Sequence, residues 1–127
     1  MAADERFESE AVFTAAGLPP RLAWRPYLMG IVNATPDSFS DSQGAKTVAD
    51  RVALARELVA QGADIIDVGG ESGITDRPAL DAADEIERVV PVIEAIAAAL
   101  PGVTISVDTY KPAVARAALT AGARIVN

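Results

Sequence analysis

The chain has 127 residues, half of them apolar, which is the size and composition of one ordinary globular domain. It contains no cysteine and no histidine, which excludes a disulfide scaffold and cysteine catalysis and removes the commonest general base and metal ligand. The net charge of −7 argues against a nucleic-acid partner, and no apolar run approaches the ~20 residues of a membrane span. We therefore expect a cytoplasmic protein in which any metal ion is bound through oxygen atoms.

Strand and helix patterns alternate along most of the chain. Residues 1–25 are predicted to be an N-terminal extension, and residues 26–127 are predicted to form one domain. The nearly continuous apolar run that begins at Leu28 is typical of a strand buried on both faces, and Pro36 ends it. The predicted strands are 28–33, 63–68, 103–107 and 123–126, and the predicted helices are 47–61, 80–100 and 112–121.

The helix patterns carry recognisable ends and faces. Thr47 is a plausible N-cap with Asp50 three residues later, and Gly62 stands where a helix-ending glycine belongs. Pro91 interrupts the second helix, so either a kink or two shorter helices is expected. The predicted apolar face of this helix is Ile86, Val89, Val90, Ile93, Ile96, Ala97 and Leu100.

Polar residues gather after every predicted strand, at 33–41, 67–78, 108–111 and Asn127. Strands that alternate with helices are parallel, so these polar segments meet at one edge of the sheet. A (β/α)₈ barrel and an open doubly wound sheet both place their active sites there. A complete barrel needs ~250 residues, and this chain supplies about half of that length.

Two long motifs, at residues 29–41 and 62–72, resemble the signatures of dihydropteroate synthases, and residues 105–111 and 122–127 resemble the third and fourth strands of that family. The resemblance implies the N-terminal half of a TIM barrel. It also implies a transferase of folate biosynthesis, which joins 6-hydroxymethyl-7,8-dihydropterin pyrophosphate to p-aminobenzoate and releases pyrophosphate. The substrates are thus small molecules, Mg²⁺ is the implied cofactor, and a homodimer is expected for the full-length form.

The same resemblance assigns roles to individual residues. Asn33 would be a catalytic residue that contacts Mg²⁺ and the pyrophosphate. Asp108, Asn127 and Thr75 would bind the pterin. The remaining implied site residues are Asp41 in the first loop and Arg77 in the second, both catalytic, with Phe39 and Pro78 as walls of the p-aminobenzoate pocket.

The second loop departs from the family pattern. The family reads Ser-Thr-Arg-Pro-Gly, whereas residues 72–79 read Ser-Gly-Ile-Thr-Asp-Arg-Pro-Ala. Without a gap Gly73 takes the threonine position, and with a gap Thr75 and Arg77 replace the adjacent pair. The added Asp76 would weaken the attraction of Arg77 for a carboxylate substrate. The altered loop therefore bears on the recognition of p-aminobenzoate.

Other interpretations of these residues stay open. Asp67 and Glu71 could be salt-bridge or capping partners at the end of the barrel, and Lys111 could be a helix-start or solvated lysine. A methyltetrahydrofolate-binding methyltransferase domain and a non-catalytic pterin-binding paralogue are the alternative functions. The first lacks a Pro-Asp-Ser-Phe-Ser loop such as the one at 36–40, and the second is favoured by the altered loop.

We expect the chain to be a fragment or a partial gene product, because the fifth to eighth strands of the family are missing. Alone it would expose the inward faces of four strands and two unpaired sheet edges. We therefore expect the 127-residue chain to self-associate at micromolar concentration, which sedimentation velocity measures. A cooperative unfolding transition of a monomer would contradict this expectation. We call the protein in the length that its host produces the native-length protein, and the predictions below refer to it.

Overall fold

The computed structural model describes residues 15–18, 26–36, 47–71 and 79–127. From residue 29 onward the described residues form four strands in alternation with three helices, which confirms the predicted order. The strands are β1 (Met29–Asn33), β2 (Ile65–Gly69), β3 (Thr104–Asp108) and β4 (Ile125–Val126), and the helices are α1 (Val48–Ala60), α2 (Ala82–Ala99) and α3 (Pro112–Ala121).

The four strands form one parallel sheet in the order β1-β2-β3-β4. The strands pair without a slip, so that Asn33 stands beside Gly69 and Gly69 beside Asp108. One face of the sheet packs against the helices. The fully buried residues of this core are Val32, Ile66, Val68, Ile105 and Val107 of the strands and Ala55, Val89, Val92, Ile93, Ile96, Val114 and Ala118 of the helices.

The expectation that the first strand is buried on both faces is wrong. Along β1 exposed and buried residues alternate, and Ile31 is 63% exposed. Strand β1 lies at one edge of the sheet, and only its Gly30 and Val32 face packs against α1. The interior strands β2 and β3 are buried on both faces along most of their length, because they have a neighbour on each side.

Helix α1 has the predicted ends. The Thr47 hydroxyl accepts from the Asp50 amide at 3.0 Å, and the Asp50 carboxylate accepts from the Thr47 amide at 3.1 Å, which forms a capping box. Gly62 follows the helix with a φ of +111°, a conformation that favours glycine. The cap and the glycine set the length of the first crossover between parallel strands.

Helix α2 is one continuous helix with Pro91 inside it, so the alternative of two shorter helices is wrong. Pro91 is exposed, and its missing N–H leaves one carbonyl of the preceding turn without its helical donor. The predicted apolar face is confirmed: Val89, Ile93 and Ile96 are buried in the core, and the partly buried Ile86, Val90, Ala97 and Leu100 pack against it. The prediction omits two buried residues, Val92 and Glu85. None of the described helices is both long and apolar enough to cross a membrane.

Part of the predicted N-terminal extension packs against the beginning of β3. The Thr104 hydroxyl donates to the carbonyl of Ala16 at 3.0 Å, and Leu18 is 4% exposed. These contacts lie at the amino ends of the strands. The division of the chain at residues 25 and 26 stays a prediction.

Gly70 allows α2 to approach the end of β2 closely. A Cβ atom at this position would lie 2.8 Å from Val89 Cγ1 and 3.3 Å from the Glu85 carbonyl oxygen. Both neighbours belong to α2, which can give way only by moving off the sheet. Gly70 thus fixes the distance between α2 and the strand end, and with it the position of Glu85.

We expect Gly70→Ala to lower the free energy of unfolding of the native-length protein by about 1–3 kcal/mol, because overpacking forces α2 away from the sheet. Gly102→Ala is the matched control, since a Cβ there would meet nothing within 4 Å. The control should change stability by less than about 0.5 kcal/mol. Chemical denaturation of both variants measures the difference, and equal effects would contradict the steric argument.

Candidate functional site

Three predicted site residues, Asn33, Asp108 and Asn127, lie at the same edge and on the same face of the sheet. Asn33 and Asp108 flank Gly69 in register, and the Asn127 amide donates to the Val107 carbonyl at 2.8 Å. Since side chains alternate along a strand, these three point away from the helices that cover Val32 and Val107. All three are exposed. We name Asn33, Gly69, Asp108 and Asn127 the polar row.

Gly69 leaves an open position in the middle of the polar row. A Cβ atom there would lie 3.5 Å from Asp108 Cβ and 3.7 Å from Asp108 Oδ2. A side chain would therefore occupy the space next to the carboxylate. With glycine, no side chain stands between Asn33 and Asp108.

A second polar pair lies beneath the polar row. Asp67 and Ser106 are register partners on β2 and β3, and they are 4% and 0% exposed. The buried Asp67 Oδ1 and Ser106 Oγ atoms have no hydrogen-bond partner among the described residues. The face opposite the helices is thus polar in two successive layers, as in a site that takes a ligand with several N–H groups.

Burial raises the pKa of Asp108 above its ordinary value, and the nearby negative charges of Asp67 and Glu85 raise it further. The Asp108 carboxylate is nevertheless the exposed acceptor of the polar row. Its electrostatic surroundings make it a strong acceptor for N–H donors of a ligand, because such donors relieve the repulsion between the carboxylates.

Arg51 of α1 fixes the end of β1. This side chain is 7% exposed, and its Nε donates to the Asn33 carbonyl at 2.8 Å and its Nη2 to the Thr35 carbonyl at 3.0 Å. The planar guanidinium can serve two carbonyls at once, whereas a lysine ammonium is a single point donor. Arg51 therefore holds the backbone from which the Asn33 side chain projects.

A network of carboxylates and one ammonium joins the ends of β2 and β3. Lys111 Nζ lies 2.9 Å from Glu71 Oε2 and 2.7 Å from Glu85 Oε1. The Glu71 Oε1 atom accepts from the Leu80 amide at 3.2 Å. Burial alone would lower the pKa of Lys111, but the hydrogen bonds to Glu85 and Glu71 outweigh it and raise the pKa above its ordinary value. The lysine is thus a charged structural link.

These contacts decide between two earlier interpretations. Glu71 is a salt-bridge and capping partner, as the alternative interpretation of this residue proposed. Lys111 does stand at the start of α3, but its side chain is 16% exposed and paired with two carboxylates, so the interpretation as a solvated lysine is wrong.

The other predicted site residues, Phe39, Asp41, Thr75, Arg77 and Pro78, lie outside the described residues. In the part of the chain that the structure describes, no group of three or more acidic residues is arranged to hold a metal ion. Asn33, exposed at the end of β1, stays the predicted metal ligand. A hydrated Mg²⁺ needs one or two protein oxygens when water and phosphate groups supply the others, so a single amide oxygen fits.

Sequence reasoning missed Arg51 and Glu85. Both are charged residues within an apolar helix face, where each stands four positions before a buried residue, Ala55 and Val89. A charged side chain at a core position is a signal of a buried ion pair or clamp. The partners, however, lie 16 or more residues away in the sequence and are visible only in three dimensions.

A cavity of about 410 Å³ lies at the opposite end of the sheet, near Val59, Leu100 and Thr104. It is lined by helix ends and turns, and its carboxylate, Asp64, accepts from the Leu28 amide at 2.9 Å. In parallel α/β proteins the ligand binds at the carboxyl ends of the strands. The polar row, rather than this cavity, is the candidate site.

The sequence model of the pterin binding enzyme family matches residues 29–127. The chain therefore belongs to this family, which confirms the resemblance seen in the sequence. Its four parallel strands and the three helices between them are an N-terminal part of a (β/α)₈ barrel, as predicted.

The similar proteins of known name are dihydropteroate synthases. The enzyme of Streptococcus pyogenes is 56% identical over 100 residues, which are 79% of this chain and 37% of that protein. A structure of the Xanthomonas albilineans dihydropteroate synthase with 4-aminobenzoic acid is 48% identical, with a TM-score of 0.71, over 82% of this chain and 38% of that one. The same enzyme in complex with 7,8-dihydropteroate is 46% identical, with a TM-score of 0.68. The chain thus spans well under half the length of these relatives.

The ion pair between Glu71 and Lys111 should make the contribution of Glu71 to the free energy of unfolding depend on pH. The hydrogen bond from Lys111 and that from the Leu80 amide lower the pKa of Glu71 below its ordinary value of 4.5. The contribution of this carboxylate is therefore fully present above pH 4.5 and is lost as the pH falls through the lower pKa of the folded protein.

We expect Glu71→Gln to cost about 0.5–1 kcal/mol of stability at pH 7 and to cost progressively less as the pH falls below the ordinary pKa of a glutamate. Thermal unfolding of the native-length protein and the variant between pH 7 and pH 3 measures this difference. Glu57→Gln, an exposed position on α1, is the control. A difference between Glu71→Gln and the parent that stays constant over this range would contradict the ion-pair argument.

Proposed function

We propose that the chain provides the pterin-binding part of a dihydropteroate synthase. The observation that carries this proposal is the polar row, in which three strand ends present Asn33, Asp108 and Asn127 on one open face. The family match and the identity to dihydropteroate synthases support it. The chain covers 37% of the Streptococcus pyogenes enzyme, so the remaining groups of a complete site would come from outside these residues.

Asp108 and Asn127 suit the pyrimidinone edge of a pterin. A carboxylate accepts from the amino and ring N–H groups, and an amide side chain both donates and accepts. The two residues are linked through the backbone, because the Thr109 amide donates to the Asn127 carbonyl at 3.4 Å. Gly69 leaves room for the flat ring next to Asp108.

The reaction then needs position and charge stabilisation more than a nucleophile of the protein. The bond between the pterin methylene carbon and the pyrophosphate oxygen breaks, the amine nitrogen of p-aminobenzoate bonds to that carbon, and the amine loses one proton. The electron-rich dihydropterin carries the positive charge that develops at the methylene carbon, and Asp108 stabilises it electrostatically.

We propose that Asn33 acts on the pyrophosphate side of the site. Its amide oxygen would hold Mg²⁺, and the ion, when bound, offsets the negative charge of the departing pyrophosphate. Arg51 keeps the Asn33 backbone in place through the hydrogen bond to its carbonyl. We further propose Asp41 and Arg77 as catalytic residues, Thr75 as a pterin contact, and Phe39 and Pro78 as p-aminobenzoate contacts. The proposal keeps the expectations of a cytoplasmic location and a homodimer of a longer form.

The experiment measures pyrophosphate release by the native-length protein from 6-hydroxymethyl-7,8-dihydropterin pyrophosphate, with and without p-aminobenzoate and Mg²⁺. We expect release that depends on both additions and yields dihydropteroate. Pterin binding without such release would support the non-catalytic paralogue instead. Methyl transfer from methyltetrahydrofolate would support the methyltransferase domain.

Asp108→Asn should weaken pterin binding about tenfold to a hundredfold, because a hydrogen bond to a charged group contributes about 1.5–3 kcal/mol. Asp84→Asn is the control, since Asp84 is an exposed residue in the first turn of α2. Isothermal titration calorimetry with 6-hydroxymethylpterin compares the two variants with the parent protein. If Asp108→Asn binds the pterin as tightly as Asp84→Asn does, Asp108 is not a pterin ligand.

A further inference from the structure

Glu85 is the most buried carboxylate among the described residues, and both of its oxygens face the turn that follows β3. The residue is 1% exposed and lies in the first turn of α2. Its Oε1 accepts from Lys111 Nζ at 2.7 Å, and its Oε2 accepts from the Thr109 hydroxyl at 2.5 Å. Both donors stand within three residues of Asp108.

Packing alone does not account for a glutamate at this position. A carboxylate is costly to bury unless it is paired, and an apolar side chain of similar volume fills a core site at lower cost. Glu85 also sits beside Gly70, where the absence of a Cβ lets α2 come close enough for its carboxylate to reach across. The charge is thus placed where it can hold the β3 turn.

The turn is held from two sides. On the α2 side Glu85 binds Thr109 and Lys111, and the Lys111 amide donates to the Thr109 hydroxyl at 3.2 Å. On the β4 side the Thr109 amide donates to the Asn127 carbonyl at 3.4 Å. Thr109 therefore connects Glu85 to the backbone of both Asp108 and Asn127.

Lys111 also connects the turn after β3 to the end of β2. Its ammonium also binds Glu71, whose other oxygen accepts from the Leu80 amide. Residues 71 and 80 stand at the two ends of the second loop, so the network joins the base of that loop to the Asp108 turn. Arg88 of α2 adds a hydrogen bond from its Nη1 to the Gly70 carbonyl at 3.0 Å.

We propose that Glu85 is the positioning residue of the pterin site, which orients Asp108 and Asn127 toward one ligand by holding Thr109 and Lys111. The inference rests on the proposed function. It concerns a side chain that lies behind the polar row and acts through its neighbours, without touching the ligand.

The charge of Glu85 also affects the titration of Asp108, which gives a second measurable readout. Besides burial, the groups that act on the pKa of Asp108 are the carboxylates of Asp67 on β2 and Glu85 on α2, and Lys111 at the start of α3 is paired with Glu85. Glu85 and Asp67 both act to raise the pKa of Asp108. Removal of the Glu85 charge should therefore lower that pKa, and the loss of pterin affinity in acid should move to lower pH.

The experiment compares Glu85→Gln, Glu85→Asp and Glu87→Gln in the native-length protein by isothermal titration calorimetry with 6-hydroxymethylpterin between pH 4 and pH 7. We expect Glu85→Gln to weaken binding about tenfold at pH 7, the effect of one hydrogen bond to a charged group, and to shift the acid midpoint downward. Glu85→Asp keeps the charge but shortens the reach, so it should weaken binding and leave the midpoint in place. Glu87→Gln, exposed on the same helix, should change neither.

Three results would overturn the inference. If the parent protein binds pterin and Glu85→Gln matches Glu87→Gln in affinity and midpoint, Glu85 does not position the site. If Glu85→Asp keeps full affinity, the reach of the side chain is irrelevant and the role is also excluded. If the parent protein binds no pterin, the proposed function fails, and the inference fails with it.

A second variant serves if circular dichroism shows that Glu85→Gln does not fold. Thr109→Val removes one of the two donors to Glu85 at nearly the same volume. We expect it to weaken pterin binding severalfold without moving the acid midpoint, since no charge is changed. Unchanged affinity in Thr109→Val would contradict the inference in the same way.

Discussion

The parallel pairing of the strands without any slip is the constraint on which the site depends. Asn33 and Asp108 are 75 positions apart in the printed numbering, yet both flank Gly69 because β1, β2 and β3 pair in step. The same pairing directs Val32, Val68 and Val107 to the helices. The apolar core therefore specifies the register, since any slip by one residue would bury polar side chains and expose apolar ones. The polar row therefore results from the burial of the apolar strand residues. The same register that buries them also brings the polar side chains together.

Charged side chains of the helices then hold the strand ends, where the ladder of backbone hydrogen bonds stops. Arg51 binds two carbonyls at the end of β1, Arg88 binds the Gly70 carbonyl, and Glu85 binds the turn after β3. Each is long enough to reach from a helix to the edge of the sheet. A backbone carbonyl that leaves the ladder near the core needs a donor, and a guanidinium supplies one without water. The strand ends that carry the candidate site are thus held by side chains of the helices behind the sheet. Such support preorganises a ligand site.

Much of the fold and the centre of the site could be predicted from local signals. Apolar runs, the Thr47 and Asp50 capping box, and polar residues after each strand are short-range patterns, and they predicted the alternation and the position of Asn33, Asp108 and Asn127. The exposure of Ile31 could not be predicted, because it depends on which strand lies at the edge. The pairing of Glu85 with Lys111 was missed for a related reason. In the sequence each resembles a solvated charge, and their pairing joins residues 26 positions apart, from two different β/α units.

The alternation of side chains along β1, β2 and β3 also restricts how the gene can change in length. One codon inserted within β3 would turn Asp108 toward the helices and bring Val107 to the ligand face. Two codons would restore the alternation but displace the carboxylate by about 6.6 Å along the strand. Neither change leaves Asp108 beside Gly69. Insertions and deletions are therefore compatible with the site only in the connections between strands and helices, which is where the extra residues at 72–79 occur relative to the family pattern. In further relatives, the number of residues within each strand should be constant, while the number of residues in the loops should differ.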